Sequence, residues 1–296
     1  MCEKMNGIID EVVKAVKEKV QTGTVVEVVK IKKNTGVEET GITIKNPLKS
    51  VGPTFYCDDK MLGGIENGET TVDEVAKEIV SVAMNECPEE EEVKGIVTKE
   101  YILSKVKYQL VNKEMNEGLL ADVPHKDFMD LAVIYRCITK EGREGVSSYI
   151  IHNGLMVSHG ISKEELDEAA ARNTKEAGYK TVPMLAMMAE ITGMSEMEFG
   201  DDPTGMYVYT NKCMNNGATV MLYTQFFEEI AEKQNDDLFI IPSSIHEVLS
   251  VPVDGKDKEY VKNMVSEVNA SVVEMEERLS DTVYRYIRDE KRLVVA

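Results

Sequence analysis

The sequence predicts an α+β protein in which mainly antiparallel pairs of strands are interspersed with helices. Runs of β-branched and aromatic residues come in consecutive pairs, and short turn sequences join the two members of a pair. Between these pairs lie longer segments with apolar residues at helical spacing. Strands that follow one another as hairpins, rather than alternating singly with helices, are typical of α+β folds.

Residues 1–95 predict an N-terminal α-β-β-β-α unit. Apolar residues at positions 8, 9, 12, 13, 16 and 20 form one stripe of a helix. Two strands between Thr24 and Lys45 are expected to form a hairpin, because the turn sequence NTG tolerates positive φ. A third strand is suggested by PTFYC, and a turn by MLGGIENGE. A helix that Thr70 or Thr71 can cap is predicted for TTVDEVAKEIVSVAMNEC.

The segment PEEEEVKG, residues 88–95, is the best candidate for a boundary. Proline ends the preceding helix, four adjacent carboxylates repel one another, and a glycine follows. We therefore divide the chain into the N-terminal region, residues 1–95, and a larger α+β region, residues 96–296. A solvated loop within one continuous domain explains the same segment equally well.

The larger region predicts further strand pairs and helices. SKEELDEAAARNT is a strong helix, because Ser162 and Glu165 have the spacing of a capping box. Two more helices are predicted for FFEEIAEKQ and KEYVKNMVSEVNASVVEMEERL. The segment YILSKVKYQLVN is expected to be the end of a helix that leads into a strand. The other segments expected to be strands are FMDLAVIYRCIT, VSSYIIHN, MYVYTN, GATVMLYTQ, DLFIIPS, VLSVPV and the hairpin TVYRYIRDEKRLVV.

The chain of 296 residues has a net charge of −19 and a sequence pI of about 4.7. An acidic surface repels phosphate backbones and anionic lipid, so we expect no nucleic acid and no membrane as partner. No apolar run approaches the ~20 residues of a membrane helix, and no secretory signal follows Met1. The five scattered cysteines form no C-x-x-C pair, which is typical of a reducing cytosol. We therefore expect a cytoplasmic protein.

A resemblance to a known family rests on the segments ADVPHKDFMDLAVIYRC, IIHNGL, AAARNT, MYVYTN…GATVMLY, DLFIIPSSIHEVLSVP and MVSEVNASVVEMEERLSDTVYRY. In this order they resemble DUF5688, a family of uncharacterised bacterial proteins. The resemblance covers most of the chain and is best after Lys94. It implies a cytosolic bacterial protein of about this length with an α+β fold. The family carries no assigned activity, cofactor or catalytic residue onto this chain.

The polar residues Ser244, His246 and Glu247 lie between two strongly apolar runs, LFII and VLSV. A serine nucleophile needs a nearby base and an oxyanion hole, and the chain has no G-x-S-x-G elbow. In an extended chain Ser244 and His246 point to one face and Glu247 to the other, so the orienting acid would be Asp127 or Asp130. The simpler interpretation is a polar crossing, in which serine hydroxyls cap the backbone and His246 satisfies a buried carbonyl or acid.

A shared catalytic site also needs His125, which precedes the strand MDLAVIY. If this strand and LFII are antiparallel neighbours, His125 approaches His246, and we expect this arrangement. The candidate catalytic residues are then Ser244, His246, Glu247, His125 and Asp127.

Metal and cofactor motifs are weak. The four histidines lack the H-E-x-x-H spacing, although three of them with a carboxylate could hold zinc. GDDPTG could bind a cation through Asp201 and Asp202, but it lacks the alternating acids of an EF-hand and is more simply a surface turn. There is no P-loop and no dinucleotide-binding fingerprint. We therefore assign no cofactor and no metal.

These observations favour a non-enzymatic binding or interaction protein whose partner is another protein or a second copy of the chain. Paired strands leave free edges, and the 17 methionines suit adaptable apolar surfaces, although most methionines are core filler. The alternative is a hydrolase or a metal-dependent enzyme that uses a His/Ser/acid cluster around His125 and His246.

Overall fold

The computed structural model describes residues 3–45, 52–85, 90–142, 145–193, 205–242, 244–271 and 273–296. Helices and antiparallel sheets confirm the predicted α+β class. Contacts divide the chain into two compact units, Met1–Thr98 and Lys99–Ala296, which we term the N-terminal unit and the C-terminal unit. The boundary predicted from the sequence lay after residue 95.

The N-terminal unit contains an antiparallel sheet of order β1-β2-β3 and helices that pack on it. The hairpin is confirmed, with Val26 opposite Ile44, and its turn places Thr35 and Gly36 at φ values of 63° and 72°. Buried apolar residues of the first three helices and of the first two strands form most of the core. The elements are α1 (Glu3–Lys19), β1 (Val25–Lys32), β2 (Glu38–Lys45), β3 (Thr54–Tyr56), α2 (Asp59–Glu66), α3 (Val72–Asn85) and α4 (Glu90–Ile96).

The segment MLGGIENGE, which the sequence predicted as a turn, is largely helical and belongs to α2. The Asp58 carboxylate caps this helix, because it accepts a hydrogen bond from the backbone N–H of Met61 at 2.7 Å. Leu62 packs into the core of the unit and is 1% exposed. These two interactions outweigh the weak helix propensity of the two glycines. The turn itself follows the helix, at Gly68 with a φ of 74°.

The C-terminal unit contains two antiparallel sheets that share one main core. One sheet has the order β4-β6-β5, with β7 also paired to β6; the other has the order β13-β12-β10-β11-β9-β8. The elements are α5 (Lys99–Lys105), β4 (Val106–Asn112), α6 (Glu117–Leu120), β5 (His125–Phe128), β6 (Leu131–Gly142), β7 (Gly145–Ile150), α7 (Asn153–His159), α8 (Lys163–Glu176), β8 (Tyr179–Pro183), α9 (Met184–Thr192), β9 (Tyr207–Asn211), α10 (Gln225–Gln234), β10 (Leu238–Ile241), β11 (Glu247–Pro252), α11 (Lys258–Ser271), β12 (Tyr284–Ile287) and β13 (Arg292–Val295).

Helix α8 has the predicted capping box at its start. Ser162 Oγ accepts the Glu165 N–H at 3.1 Å, and the Glu165 carboxylate accepts the Ser162 N–H at 3.0 Å. Leu166 and Ala170 on one face of the helix enter the main core. Near the other end, Thr174 Oγ1 accepts the backbone N–H of Tyr108 at 2.9 Å, so the helix is fixed against β4.

Several elements of this unit differ from the sequence-based expectation. Helices α7 and α9 were not predicted, and the predicted strand FMDLAVIYRCIT is interrupted by the turn at Met129 and Asp130. GATVMLYTQ, predicted as a strand, begins with the 3₁₀ helix Gly217–Leu222, whose residues 217–221 are all buried and so show no alternation of period two. The predicted helix KEYVKNMVSEVNASVVEMEERL is an α-helix only as far as Ser271; Met275–Glu277 form a short 3₁₀ helix, and Arg278 bridges Ser244. The edge strand β8 was not predicted at all; Pro183 ends it.

Candidate functional site

His125 and Asp127 lie on β5, whereas the polar residues around His246 lie between β10 and β11. The expected pairing of MDLAVIY with LFII is wrong, because β11 and β12 occupy both edges of β10 and β6 belongs to the other sheet. His125 Nδ1 is 3.0 Å from the carbonyl oxygen of Val123, and Asp127 forms an ion pair with Lys113 at 2.8 Å. In the described parts of the chain, no hydrogen bond or ion pair joins His125 or Asp127 to His246.

The polar crossing, Ser244 to His246, is held by the chain that follows α11. Ser244 forms an isolated antiparallel bridge with Arg278, and the Ile245 N–H donates to the carbonyl oxygen of Glu277 at 2.8 Å. Ser244 is 4% exposed, and its Oγ accepts the backbone N–H of His246 at 3.0 Å. This serine therefore satisfies the backbone at a point where β10 has ended and β11 has not begun.

Both ring nitrogens of His246 face a partner. Nδ1 accepts the backbone N–H of Asn216 at 3.2 Å, so the neutral ring carries its proton on Nε2. Nε2 lies 3.4 Å from Glu277 Oε1. The sequence predicted a carbonyl or an acid as the partner of His246. Glu277 is an acid at this distance, and the backbone N–H of Asn216 is a second partner that the sequence did not indicate. Because a general base needs a free lone pair aimed at its nucleophile, the engaged Nδ1 atom does not suit His246 to activate Ser244.

Glu247 is the acid of this region with a perturbed ionisation. Burial raises the pKa of its carboxyl group, and the electrostatic interaction with His246 and a hydrogen bond with the Ser244 hydroxyl oppose that rise only in part. Glu247 stands opposite Thr210 at the start of β11. A raised carboxyl pKa occurs in acid–base sites and in buried structural acids alike, so it favours catalysis only in combination with a free base and a nucleophile.

His246 supports the segment Asn211–Asn216, which we term the asparagine loop. Within the loop, Asn211 Oδ1 accepts the N–H groups of Cys213 and Asn215 at 3.1 Å and 3.2 Å. The loop ends at Asn216, whose φ of 54° is left-handed. Thr210 Oγ1 also donates to the carbonyl oxygen of His246 at 2.8 Å. The polar crossing and the asparagine loop are therefore one hydrogen-bonded assembly.

A cavity of about 280 Å³ opens where α5, the end of β6 and the end of α8 meet. We term it the basic cavity, because its lining includes three lysines and two glutamates. The charged residues are Lys105, Lys107, Lys140, Glu141 and Glu176. A small recess of about 20 Å³ shares Lys107 and Glu141 with it and reaches Arg136 and the asparagine loop.

The register of the sheet creates this cavity. Strand β4 begins at Val106, opposite Cys137, so residues 138–142 of β6 pair only with β7. A β-bulge at Thr139 shifts that pairing and turns consecutive residues of β6 towards the opening. Asn173 on α8 donates from Nδ2 to the carbonyl oxygens of Leu103 and Val106 at 3.1 Å and 2.9 Å. The helix end that closes the cavity is thus fixed to the junction of α5 and β4.

The cations around the cavity exceed their counter-ions. Lys107 forms an ion pair with Glu141 at 3.1 Å. Burial opposes the ionisation of Glu141, but hydrogen bonds from Cys213 and Lys107 hold the pKa of its carboxyl group below the usual value. The Arg136 guanidinium donates only to neutral acceptors, Ser148 Oγ at 2.9 Å and Gln109 Oε1 at 3.1 Å. Burial lowers the pKa of Arg136. In the described residues, no carboxylate lies within ion-pair distance of Arg136.

A second polar cluster, which the sequence did not indicate, surrounds Asp167 on α8. The hydroxyls of Tyr108 and Tyr135 each donate to its Oδ1 at 2.8 Å, and Lys126 Nζ lies 2.6 Å from the same atom. Burial, and then the bonds to Asp167, raise the pKa of both tyrosines, which makes them donors rather than nucleophiles. The cluster spans β4, β5, β6 and α8, so no local motif could have revealed it.

Asp130, considered above as an orienting acid for His246, has other partners. It accepts hydrogen bonds from Ser280 Oγ at 2.8 Å and Thr282 Oγ1 at 2.9 Å, and also from the Tyr284 hydroxyl. These three residues precede or belong to β12, and Asp130 lies in the turn between β5 and β6. Asp130 therefore connects the two sheets of the C-terminal unit.

Comparisons with known proteins give a family and no activity. A family model described as a family of unknown function, DUF5688, matches residues 5–288 of the chain. No curated protein and no solved structure matches. The described residues contain no group of three or more His, Cys, Asp or Glu that could hold a metal ion, and none of their helices is long and apolar enough to cross a membrane. Asp201, Asp202 and Ser243 lie outside the described residues.

Proposed function

We propose that this chain, which belongs to the DUF5688 family of unknown function, works by binding rather than by catalysis and binds its ligand in the basic cavity. The observation that carries this proposal is a cavity of about 280 Å³ with walls fixed by the sheet register and by Asn173. Pockets for small ligands start at roughly this size. The engagement of His246 Nδ1 by the backbone supports binding over catalysis.

The proposal is tested by filling the cavity. Ala177 lines it at the end of α8, and Ala177→Trp places an indole there. Glu168→Trp, at an exposed position of the same helix, is the matched control. We expect a mixed panel of small acids, phosphates, amides and polyols to contain a compound that shifts the amide NMR resonances of the cavity lining. That shift should vanish in Ala177→Trp and persist in Glu168→Trp; equal shifts in both variants contradict the proposal.

The alternative proposal is a hydrolase that uses Ser244, His246 and Glu247. The raised pKa of Glu247 beside the Ser244 hydroxyl favours it. In this case the imidazole must release the Asn216 N–H before it can act as a base. A fluorophosphonate probe should then label the protein, and Ser244→Ala should abolish the labelling. An unlabelled wild-type protein contradicts the alternative.

We also propose a cytoplasmic protein that binds neither nucleic acid nor membranes, as its net charge of −19 supports. A gel-shift titration with duplex DNA at physiological salt should show no complex at micromolar protein. Binding to a protein partner or to a second copy of the chain is the other form that an interaction function can take. Light scattering after size exclusion distinguishes the monomer from a self-associated form.

A further inference from the structure

We infer that the basic cavity recognises a compact, multiply charged anionic group, of the kind found on phosphate monoesters and small dicarboxylates. This inference rests on the proposed binding function and names the chemical class of the ligand. Three observations carry it: two lysines at the opening that form no ion pair among the described residues, an arginine behind the cavity whose hydrogen-bond partners are neutral, and neutral donors that are already used.

The lysines at the opening are available. Lys105 ends α5 and Lys140 lies near the end of β6, and both are exposed. Lys107 is paired with Glu141, but neither Lys105 nor Lys140 forms an ion pair among the described residues. Two flexible ammonium groups from different elements can therefore converge on one anion, which each would contact as a point charge.

Arg136 adds a charge from behind the cavity. It stands directly opposite Lys107 in the pairing of β4 with β6, and like charges in this position destabilise a sheet. Its neutral partners, Ser148 and Gln109, leave its charge uncompensated. The recess beside it, about 20 Å³, has room for about one water molecule. A bound anion in the main cavity would thus offset the charge of Arg136 through its field rather than by direct contact.

The neutral polar side chains of the cavity have little to offer a ligand. The Ser104 hydroxyl donates to the carbonyl oxygen of Tyr101 at 2.8 Å, and the Thr139 hydroxyl to that of Ser147 at 3.1 Å. The Asn173 amide is committed to two backbone carbonyls. Because these donors are used, the lysine ammonium groups are the main donors left, and recognition depends on the charge of the ligand rather than on a pattern of hydroxyls.

The experiment is calorimetric titration of the full chain with inorganic phosphate, malonate and glycerol, which represent the two sources of dianion and an uncharged reference. We expect phosphate or malonate to bind and glycerol not to bind, with an affinity that falls as salt rises. The double variant Lys105→Met/Lys140→Met should weaken dianion binding at least tenfold. Lys258→Met/Lys262→Met on α11, with the same change in net charge, should stay within twofold of wild type.

Folding is controlled separately, because a cation in the last turn also stabilises α5. The melting temperature of each variant is measured, and Lys140→Met alone replaces the double variant if the latter does not fold. The inference that the ligand is anionic is overturned if glycerol binds as well as the dianions, or if the Lys105 and Lys140 variants keep the wild-type affinity. Either result leaves the cavity as a binding site. Binding that survives Ala177→Trp instead overturns the proposed function itself.

Discussion

The Nδ1 atom of His246 accepts a hydrogen bond from the backbone N–H of Asn216 at 3.2 Å. Asn216 has a φ of 54° and immediately precedes the buried 3₁₀ helix Gly217–Leu222. One imidazole therefore fixes the point at which the asparagine loop turns into the core. Since that loop also walls the recess beside the basic cavity, His246 acts on the shape of the candidate site through its neighbours.

His246→Ala should destabilise the C-terminal unit by about 1–3 kcal/mol, because the Asn216 N–H loses its acceptor. For a unit of this size that corresponds to a fall in melting temperature of roughly 2–4 °C per kcal/mol. His246→Asn is the matched variant, since its amide oxygen can replace Nδ1 as the acceptor. Calorimetry should show most of the loss recovered in His246→Asn. Equal melting temperatures for wild type and His246→Ala would mean that this bond contributes nothing.

Gly217→Ala should lower the stability of the C-terminal unit more than His246→Ala does. An added Cβ would lie 2.3 Å from Thr210 Oγ1, 2.4 Å from the His246 carbonyl oxygen and 2.7 Å from the Asn211 nitrogen, and two of these atoms are backbone. Overpacking of this kind costs about 1–3 kcal/mol or more. Gly154→Ala on α7 is the control, because nothing lies within 4 Å of its Cβ and alanine favours a helix. Chemical unfolding should place the two variants on opposite sides of wild type.

The pH dependence of stability should carry the signature of Glu247. Burial raises its pKa in the folded state, so the folded protein holds the proton more tightly than the unfolded chain. The resulting stability is present below the unfolded pKa, about 4.3, and is lost as pH rises through the folded value. Relative to wild type, Glu247→Gln should therefore become more stable between pH 4 and pH 7. Urea titrations give the unfolding free energy of each protein at each pH. If the difference between Glu247→Gln and wild type is constant over this pH range, the raised pKa of Glu247 is contradicted.

Patterns confined to one element were predictable from the sequence. The capping box of α8 needs only Ser162 and Glu165, and the first hairpin needs only a turn that tolerates positive φ. The 3₁₀ helix after Asn216 was not predictable, because its residues are buried on all sides and an unbroken apolar run suits a strand equally well. The helix α2 was missed since its cap, Asp58, lies outside the glycine-rich segment that suggested a turn.

The candidate site shows the same limit at longer range. Ser244 and His246 were found because they are neighbours in sequence, whereas His125 was placed with them by a strand pairing that does not exist. The lysines of the basic cavity come together because β4 starts opposite Cys137 and leaves the end of β6 unpaired on one side. That register is decided by burial across the whole sheet, and no local spacing of Lys105 and Lys140 encodes it.

Asp130 gives the sharpest prediction about how the C-terminal unit is held together. Its carboxylate accepts hydrogen bonds from the hydroxyls of Ser280, Thr282 and Tyr284, and Tyr284 is fully buried. Bonds to a charged acceptor contribute more than neutral ones, and removing the acceptor leaves buried hydroxyls unsatisfied. Asp130→Ala should therefore cost about 3 kcal/mol or more, measured by urea unfolding.

Asp127→Ala is the control. Asp127 lies on β5, three residues before Asp130, and its exposed carboxylate forms a surface ion pair with Lys113. Its melting temperature should stay close to wild type, since exposed pairs contribute little. Tyr284→Phe removes one of the three donors, and a double-mutant cycle with Asp130→Ala isolates its share. If the losses in unfolding free energy of Asp130→Ala and Tyr284→Phe simply add, the two residues are not coupled. A double variant that loses less than this sum instead means that the turn between β5 and β6 holds β12 in place through this carboxylate.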